Sequence, residues 1–105
     1  MITLDKDTFQ AEVKDVKGPV LVDYWSETCE TCKALMPEVV ALSEKYGAQL
    51  KFAKLDVTKA RRLAISEQVL GLPTIVLYKD GQKVAEVTKE GATASSVEAM
   101  IQKIL

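Results

Sequence analysis

The sequence predicts an α/β protein built on a mixed β-sheet, and three observations indicate this class. Short apolar runs typical of strands alternate with longer segments whose apolar residues recur at helical spacing, which predicts strand–helix–strand units with parallel strands. Near the end, two strand-like segments flank Asp80-Gly81, a pair typical of a tight antiparallel hairpin. The length of 105 residues suffices for one hydrophobic core, so we expect a single domain over residues 1–105.

The first elements are a short strand, a helix and a buried strand. Residues 2–4 are a strand candidate, and a helix with Asp7 and Thr8 as candidate caps is predicted up to the Gly-Pro pair that ends it. Residues 20–25 form a nearly continuous apolar run, which is typical of a strand buried on both faces. Asp23 is the one polar residue in that run.

The rest of the chain continues the alternation. Helical spacing predicts a helix over residues 32–46, kinked at Pro37, and period-two alternation predicts a strand over residues 50–57. A short helix should follow, then the two strands of the hairpin and an amphipathic helix at the end. The predicted order is β-α-β-α-β-α-β-β-α, a mixed sheet with helices on both faces.

Composition excludes several classes of function. Lysine and arginine total 14 against 15 acidic residues, a net charge of -1, so no basic surface for nucleic acid or anionic lipid is expected. The chain has no histidine, which excludes Ser-His-Asp and Cys-His catalysis and removes the commonest metal ligand. The first residues lack the pattern of a signal peptide and no apolar run could span a bilayer, so we expect a cytoplasmic protein with no membrane contact.

Cys29 and Cys32 are the only cysteines, and they stand at the start of a predicted helix. Unpaired backbone N–H groups and the helix dipole stabilise a thiolate there, so its pKa should fall towards neutrality. A cysteine three residues further on lies on the same face, within reach of a disulfide, so one thiol can attack and the other resolve. A structural staple is a poor alternative because the loop is very short, and a zinc site would need two more soft ligands.

Several segments together resemble the thioredoxin family. Residues 22–33 are similar to the active-site segment of the family, residues 71–74 to the loop that carries its cis-proline, Pro37 to its helix proline and Lys54 to a lysine of its central strand. The resemblance covers essentially the whole chain. It implies the thioredoxin fold, a mixed five-stranded sheet made of a four-stranded core and an N-terminal strand, flanked by four helices.

By this resemblance, Cys29 is the nucleophile that forms a mixed disulfide with a substrate, and Cys32 is the resolving thiol. Asp23 would lie behind Cys32, where burial raises its pKa and makes it a proton acceptor during resolution, with Lys54 tuning it from the adjacent strand. An Asp23 that faces water at a strand end is the open alternative.

The resemblance also implies a substrate-binding edge. Pro73 would follow a cis bond that lets the backbone of Leu72 offer its N–H and C=O to an extended substrate segment. Trp25 would shield the active site while it also packs in the core. A simple loop terminator is the alternative reading of Pro73.

The residues around the cysteines depart from the family. Most members read Trp-Cys-Gly-Pro-Cys, whereas this chain reads Thr28-Cys29-Glu30-Thr31-Cys32. The carboxylate of Glu30 should repel a thiolate and raise the pKa of Cys29, while Thr31 replaces the proline that pre-sets the first helical turn. Thr28 should make the substrate-docking rim less hydrophobic and change the set of partners. Neutral variation on a surface loop remains the alternative.

The resemblance implies a protein-disulfide reductase with no cofactor other than the redox-active Cys29–Cys32 disulfide. Its partners would be disulfide-containing client proteins and a separate electron donor of the thioredoxin-reductase type, and we expect a monomer. Two alternatives stay open: a thioredoxin-fold binding or regulatory module with a redox-switch disulfide, and a specialised electron donor to one dedicated client enzyme. A glutaredoxin-like or oxidase role is disfavoured by Asp23 and Trp25.

Overall fold

Five strands form one mixed sheet in the computed structural model, which describes residues 1–105. The strands are β1 (Ile2–Leu4), β2 (Pro19–Trp25), β3 (Lys51–Asp56), β4 (Thr74–Lys79) and β5 (Gln82–Thr88). Their order across the sheet is β1-β3-β2-β4-β5. The first three are mutually parallel, whereas β4 runs antiparallel to β2 and β5 antiparallel to β4. The predicted mixed five-stranded sheet is therefore confirmed.

Four helices flank the sheet, as predicted. They are a short first helix (Gln10–Lys14), α1 (Glu30–Tyr46), α2 (Arg61–Ser66) and α3 (Ala94–Ile104). Single 3₁₀ turns at Val57–Lys59 and Lys89–Gly91 precede α2 and α3. None of them combines the length and the apolar character that crossing a bilayer requires.

The direction of β4 differs from the simple strand–helix–strand expectation. A parallel return would have to cover the length of β3, whose 6 residues span about 20 Å, while the 6 residues of α2 span only about 9 Å. The connection therefore stays at the end of the sheet that holds the C-terminus of β3. From there β4 starts back across the sheet beside β2, in the antiparallel direction.

The first helix is shorter than predicted and is wound as a π-turn. The N–H of Asp15 donates to the carbonyl of Gln10, five residues earlier, at 2.8 Å. Neither residue of the predicted pair caps this helix: its N-cap is Phe9, without a side-chain hydrogen bond, and the carboxylate of Asp5 accepts the N–H groups of Asp7 and Thr8 at 2.8 and 2.9 Å in the preceding turn. Val13 is the one buried residue of this first helix.

The sheet separates two hydrophobic cores because successive residues of a strand point to opposite faces. One core lies under the first helix and α2 and includes Val20, Val22 and Tyr24 of β2. The other lies under α1 and α3 and includes Leu21 from the same strand. By this alternation Asp23 points to the α1 side of the sheet, together with Leu21.

A buried tyrosine pair ties the end of α2 to the sheet. The hydroxyls of Tyr24 and Tyr78 lie 2.7 Å apart, and Tyr78 donates to the carboxylate of Glu67 at 2.8 Å. Glu67 caps the C-terminus of α2, so this contact positions the loop that leads into β4. That loop carries Leu72 and Pro73.

Candidate active site

The two cysteines occupy the N-terminus of α1 and form a disulfide with a Cα–Cα distance of 5.2 Å. The helix starts at Glu30, two residues before the predicted start, and Cys29 is its N-cap with extended backbone angles. Cys32 lies in the first turn and is only 1% exposed, whereas Cys29 is partly exposed. Only one sulfur of the pair is therefore open to approach by another protein.

Two donors from the first turn of α1 point at the exposed sulfur. The backbone N–H of Cys32 lies 3.2 Å from Sγ of Cys29, and the hydroxyl of Thr31 lies 3.5 Å from it. Hydrogen bonds to a charged acceptor are stronger than those to a neutral one, so both contacts favour the thiolate form of Cys29 after reduction. The Thr31 contact requires a hydroxyl at this position, which proline could not supply.

Asp23 is buried without any hydrogen-bond partner. It is 1% exposed, so its carboxyl group does not face water, and neither oxygen meets a donor. Desolvation by burial raises the pKa of Asp23 to about 7, and the positive charge of Lys54 opposes this rise. At neutral pH the group is therefore divided between its protonated and ionised forms.

Lys54 and Trp25 lie beside Asp23 on the same side of the sheet. Lys54 is the register partner of Asp23 across β2 and β3, and Trp25 ends β2 two residues further on. The ammonium group of Lys54 lies 5.6 Å from the centroid of the Trp25 ring, within the range of a cation–π contact. Both side chains line an open hollow next to Pro37, and Trp25 is partly exposed there.

A groove of about 340 Å³ runs past the start of α1, lined by Thr31, Leu72, Pro73, Lys89 and Glu90. The Leu72–Pro73 bond is cis, as the family resemblance implied. Neither the N–H nor the C=O of Leu72 makes a hydrogen bond within the chain. The groove therefore offers a free backbone donor and acceptor beside the disulfide.

The sequence prediction missed Lys89 and Glu90, which line the other wall of this groove. They belong to a 3₁₀ turn after β5, and Lys89 has a positive φ of 55°. Its backbone N–H donates to the carbonyl of Pro73 at 2.7 Å. No local pattern predicts this contact, because it joins two loops that only the sheet brings together.

The remaining predicted residues lie on the exposed rim. Thr28 is exposed, and its hydroxyl lies 3.3 Å from that of the buried Ser26, a third residue that the sequence prediction missed. The side chain of Glu30 is 86% exposed and makes an ion pair with Lys33 at 3.7 Å. Both rim residues are thus open to a docked protein, whereas Ser26 supports the loop from below.

Comparison with known proteins identifies the family. The chain matches the family model described as "Thioredoxin" over residues 1–103. It is 63% identical to "Thioredoxin" of Acetoanaerobium sticklandii over 105 residues, the full length of both chains. It is 56% identical to "Thioredoxin" of Peptoclostridium acidaminophilum over 103 residues, 98% of this chain and 94% of the relative. The chain therefore belongs to the thioredoxin family of thiol–disulfide oxidoreductases.

Proposed function

We propose that this chain is a thioredoxin with an atypical Cys29-Glu30-Thr31-Cys32 active site that reduces disulfides of client proteins. The difference in exposure between the two sulfurs carries the proposal. Cys29 is partly exposed at the N-cap of α1, while Cys32 is 1% exposed in the turn behind it. This asymmetry suits a nucleophile that meets the client and a thiol that reacts only within the protein.

In the first step, the thiolate of Cys29 attacks one sulfur of a client disulfide. A mixed disulfide forms between Cys29 and the client, and the other client sulfur leaves as a thiolate. The N–H of Cys32 and the hydroxyl of Thr31 stabilise the attacking thiolate before this step. The free N–H and C=O of Leu72 pair with the extended client backbone, and Pro73 forms the wall beneath it.

In the second step, Cys32 loses its proton and attacks Sγ of Cys29. The Cys29–Cys32 disulfide forms, the second client thiol leaves, and two electrons have passed to the client. Asp23 is the proton acceptor in this proposal, because its pKa of about 7 leaves a substantial ionised fraction at neutral pH. Lys54 keeps that pKa from rising further, and Trp25 shields the cysteines.

The reaction needs no bound cofactor, because the Cys29 and Cys32 thiols themselves supply the two electrons and end as a disulfide. We propose that a separate thioredoxin-reductase-type protein restores the dithiol and that the chain works as a monomeric single domain in the cytoplasm. The near-neutral net charge of -1 supports protein clients over nucleic acid or an anionic membrane.

A dedicated client is a second candidate, favoured by the polar rim around the cysteines. Thr28 and Glu30 are exposed where a docked protein would lie, and Glu90 lines the groove beside Pro73. A client with a purely apolar contact surface would bind poorly to this rim, because binding would bury the carboxylates of the rim without a partner. It therefore narrows the set of clients.

Insulin reduction tests the proposal. The chain should accelerate the reduction of insulin by dithiothreitol, measured as precipitation of the free B chain, and Cys29→Ser should abolish the acceleration. A rate equal to that of dithiothreitol alone would instead favour the binding-module alternative. In that case partner binding would persist in the Cys29→Ser/Cys32→Ser double variant.

Trapping distinguishes the roles of the two cysteines. Cys32→Ser should accumulate client proteins as mixed disulfides through Cys29, because the resolving thiol is missing. Cys29→Ser is the matched control and should trap none. Equal trapping by both variants would contradict the assigned roles, and a single dominant trapped protein would support the dedicated-client candidate.

A further inference from the structure

Two large apolar side chains lie open to solvent on one side of the disulfide groove. Ile65 in α2 is 66% exposed, and Leu70 in the following loop is 85% exposed. Together with Val57 and Leu72 they line a groove of about 260 Å³. Leu70 contributes almost nothing to the core, so its exposure has no explanation in the stability of the fold.

This apolar groove is continuous with the disulfide groove. Leu72 lines both of them, its side chain packs against the core on the α2 side of the sheet, and its backbone N–H and C=O are unpaired. A segment that pairs with the backbone of Leu72 would therefore extend directly past Leu70 and Ile65.

The other end of the apolar groove is basic. Arg61 lines both the apolar groove and a neighbouring hollow, whose other cationic residues are Lys6, Lys59 and Arg62. All four cations are exposed and none makes an ion pair, and no acidic residue lines this hollow. Lys6 lies within electrostatic range of the carboxylate of Asp5, whereas Arg61 and Arg62 make no ion pair and can meet an acidic partner.

Near the cysteines the charges are balanced instead. Glu30 pairs with Lys33 in the first turn of α1, and Glu90 follows Lys89 in the groove wall. Along this surface, opposite charges balance each other near the disulfide, the residues around Leu70 are apolar, and the residues beyond Arg61 are positively charged. Such a gradient sets one direction for a bound segment.

We propose that this surface docks an extended client segment that carries an apolar side chain and then acidic side chains on one side of the reactive cysteine. The reactive cysteine of the client lies next to Cys29, and the apolar side chain of the client fills the groove at Ile65 and Leu70. The acidic side chains of the client contact Arg61 and Arg62. The proposal rests on the proposed disulfide-reductase function and names its client class. Apolar burial supplies affinity, while the arginines supply direction and a salt-dependent rate of association.

Disulfide-linked peptide dimers test the proposal without any change to the protein. Each peptide carries one cysteine, a leucine and two glutamates, with the spacing and the side of the cysteine varied across the set. Reference peptides replace the leucine by serine or the glutamates by lysines. The readout is the rate at which the reduced protein releases thiol from the peptide dimer. This rate is divided by the rate at which the same protein reduces 5,5′-dithiobis(2-nitrobenzoate), a disulfide too small to contact the groove, to correct for the intrinsic reactivity of Cys29.

We expect a preferred spacing and side, at which the leucine-glutamate peptide reacts about tenfold faster than its serine reference. Ile65→Ser/Leu70→Ser should remove this preference, while Val84→Ser, an exposed apolar position on β5, should keep it. Arg61→Glu/Arg62→Glu should invert the preference between glutamate and lysine peptides. Lys79→Glu/Lys103→Glu, a matched reversal of exposed charges, should not.

Equal rates for all peptides with the unaltered protein would overturn the proposal, and so would a preference that survives the groove variants. A protein that dimerises in sedimentation and loses the dimer in Ile65→Ser/Leu70→Ser would overturn it too, because a second copy would then be the occupant. Failure of the disulfide-reductase function looks different. In that case the reduced protein would release thiol from none of the peptide dimers, although its exposed thiol would still react with the small disulfide.

Discussion

Asp23 and Lys54 are register partners on adjacent strands, yet they form no ion pair. The ammonium group of Lys54 lies over the ring of Trp25 instead, and both oxygens of Asp23 stay without a donor. The charge of Lys54 thus acts on Asp23 through space and leaves its pKa at about 7. A contact ion pair would hold the pKa of Asp23 far lower and would leave a carboxylate too weakly basic to take the proton of Cys32 efficiently.

Asp23→Asn should stabilise the protein at neutral and alkaline pH. The folded-state pKa of Asp23 is about 7 against an ordinary value of 3.8, so the unfolded chain releases this proton first as pH rises. Stability therefore falls between about pH 4 and pH 7, by about 4 kcal/mol in total, and is flat above. Urea unfolding across this range should show the fall in the unaltered protein and not in Asp23→Asn. Asp7→Asn, at an exposed position, is the control, and the same slope in both variants would contradict the prediction.

Lys54→Met should raise the pKa of Asp23 above 7. The substitution removes the one positive charge that opposes desolvation while it keeps most of the apolar stem against Trp25. Carboxyl ¹³C NMR titration measures the pKa directly. Lys79→Met, at an exposed position of β4, should leave the titration of Asp23 where it is. An unchanged pKa in Lys54→Met would show that the two groups do not interact.

Glu30→Gln should lower the pKa of Cys29 by about half a unit. The carboxylate follows Cys29 directly, but its exposure and its ion pair with Lys33 both weaken its repulsion of the thiolate. Thiolate absorbance at 240 nm, followed against pH in the reduced protein, is the measurement. Glu44→Gln near the other end of α1 is the control. A pKa that does not fall in Glu30→Gln refutes the prediction.

Thr31→Val should shift the pKa of Cys29 in the opposite direction, upwards by about half a unit to one unit. Valine keeps the shape of threonine but lacks the hydroxyl that lies 3.5 Å from Sγ of Cys29. The same titration applies, with Thr28→Val as the control because its hydroxyl faces Ser26. If Thr31→Val and Thr28→Val behave alike, the hydroxyl of Thr31 does not stabilise the thiolate.

Gly81→Ala should destabilise the fold by at least about 2 kcal/mol. Gly81 has a φ of 79° in the hairpin turn, and an added Cβ would collide with the backbone carbonyl of Lys14. Gly91→Ala is the matched control, because its Cβ would meet nothing within 4 Å. Thermal unfolding compares the two, and equal melting temperatures would contradict the prediction.

Local patterns were sufficient for most of the fold. The hairpin follows from Asp80-Gly81, whose positive φ values of 53° and 79° suit the residues found there. Periodicity located the helices and strands to within a few residues, except for the first helix. There the hydrogen bond from the N–H of Asp15 to the carbonyl of Gln10 makes a π-turn, whereas the periodicity of apolar residues predicts an ordinary α-helix.

The sequence by itself determined the order of the elements, the family and the chemistry of a cysteine pair at a helix start. The elements and the cysteine chemistry depend on contacts between residues close along the chain, such as the N-cap of α1 at Cys29. The roles assigned to Asp23, Lys54 and Pro73 by resemblance stay predictions. The structure shows the burial of Asp23, its register with Lys54 and the cis bond before Pro73.

Only the tertiary structure decided the direction of β4 and the absence of any hydrogen-bond donor at the buried oxygens of Asp23. It also brought Leu70 and Arg61 beside the groove at Pro73, as one continuous surface. The physical reason is common to all of them. Solvent exposure and charge environment are set by residues distant in sequence, whereas local spacing dictates only which face of a strand or helix a side chain occupies.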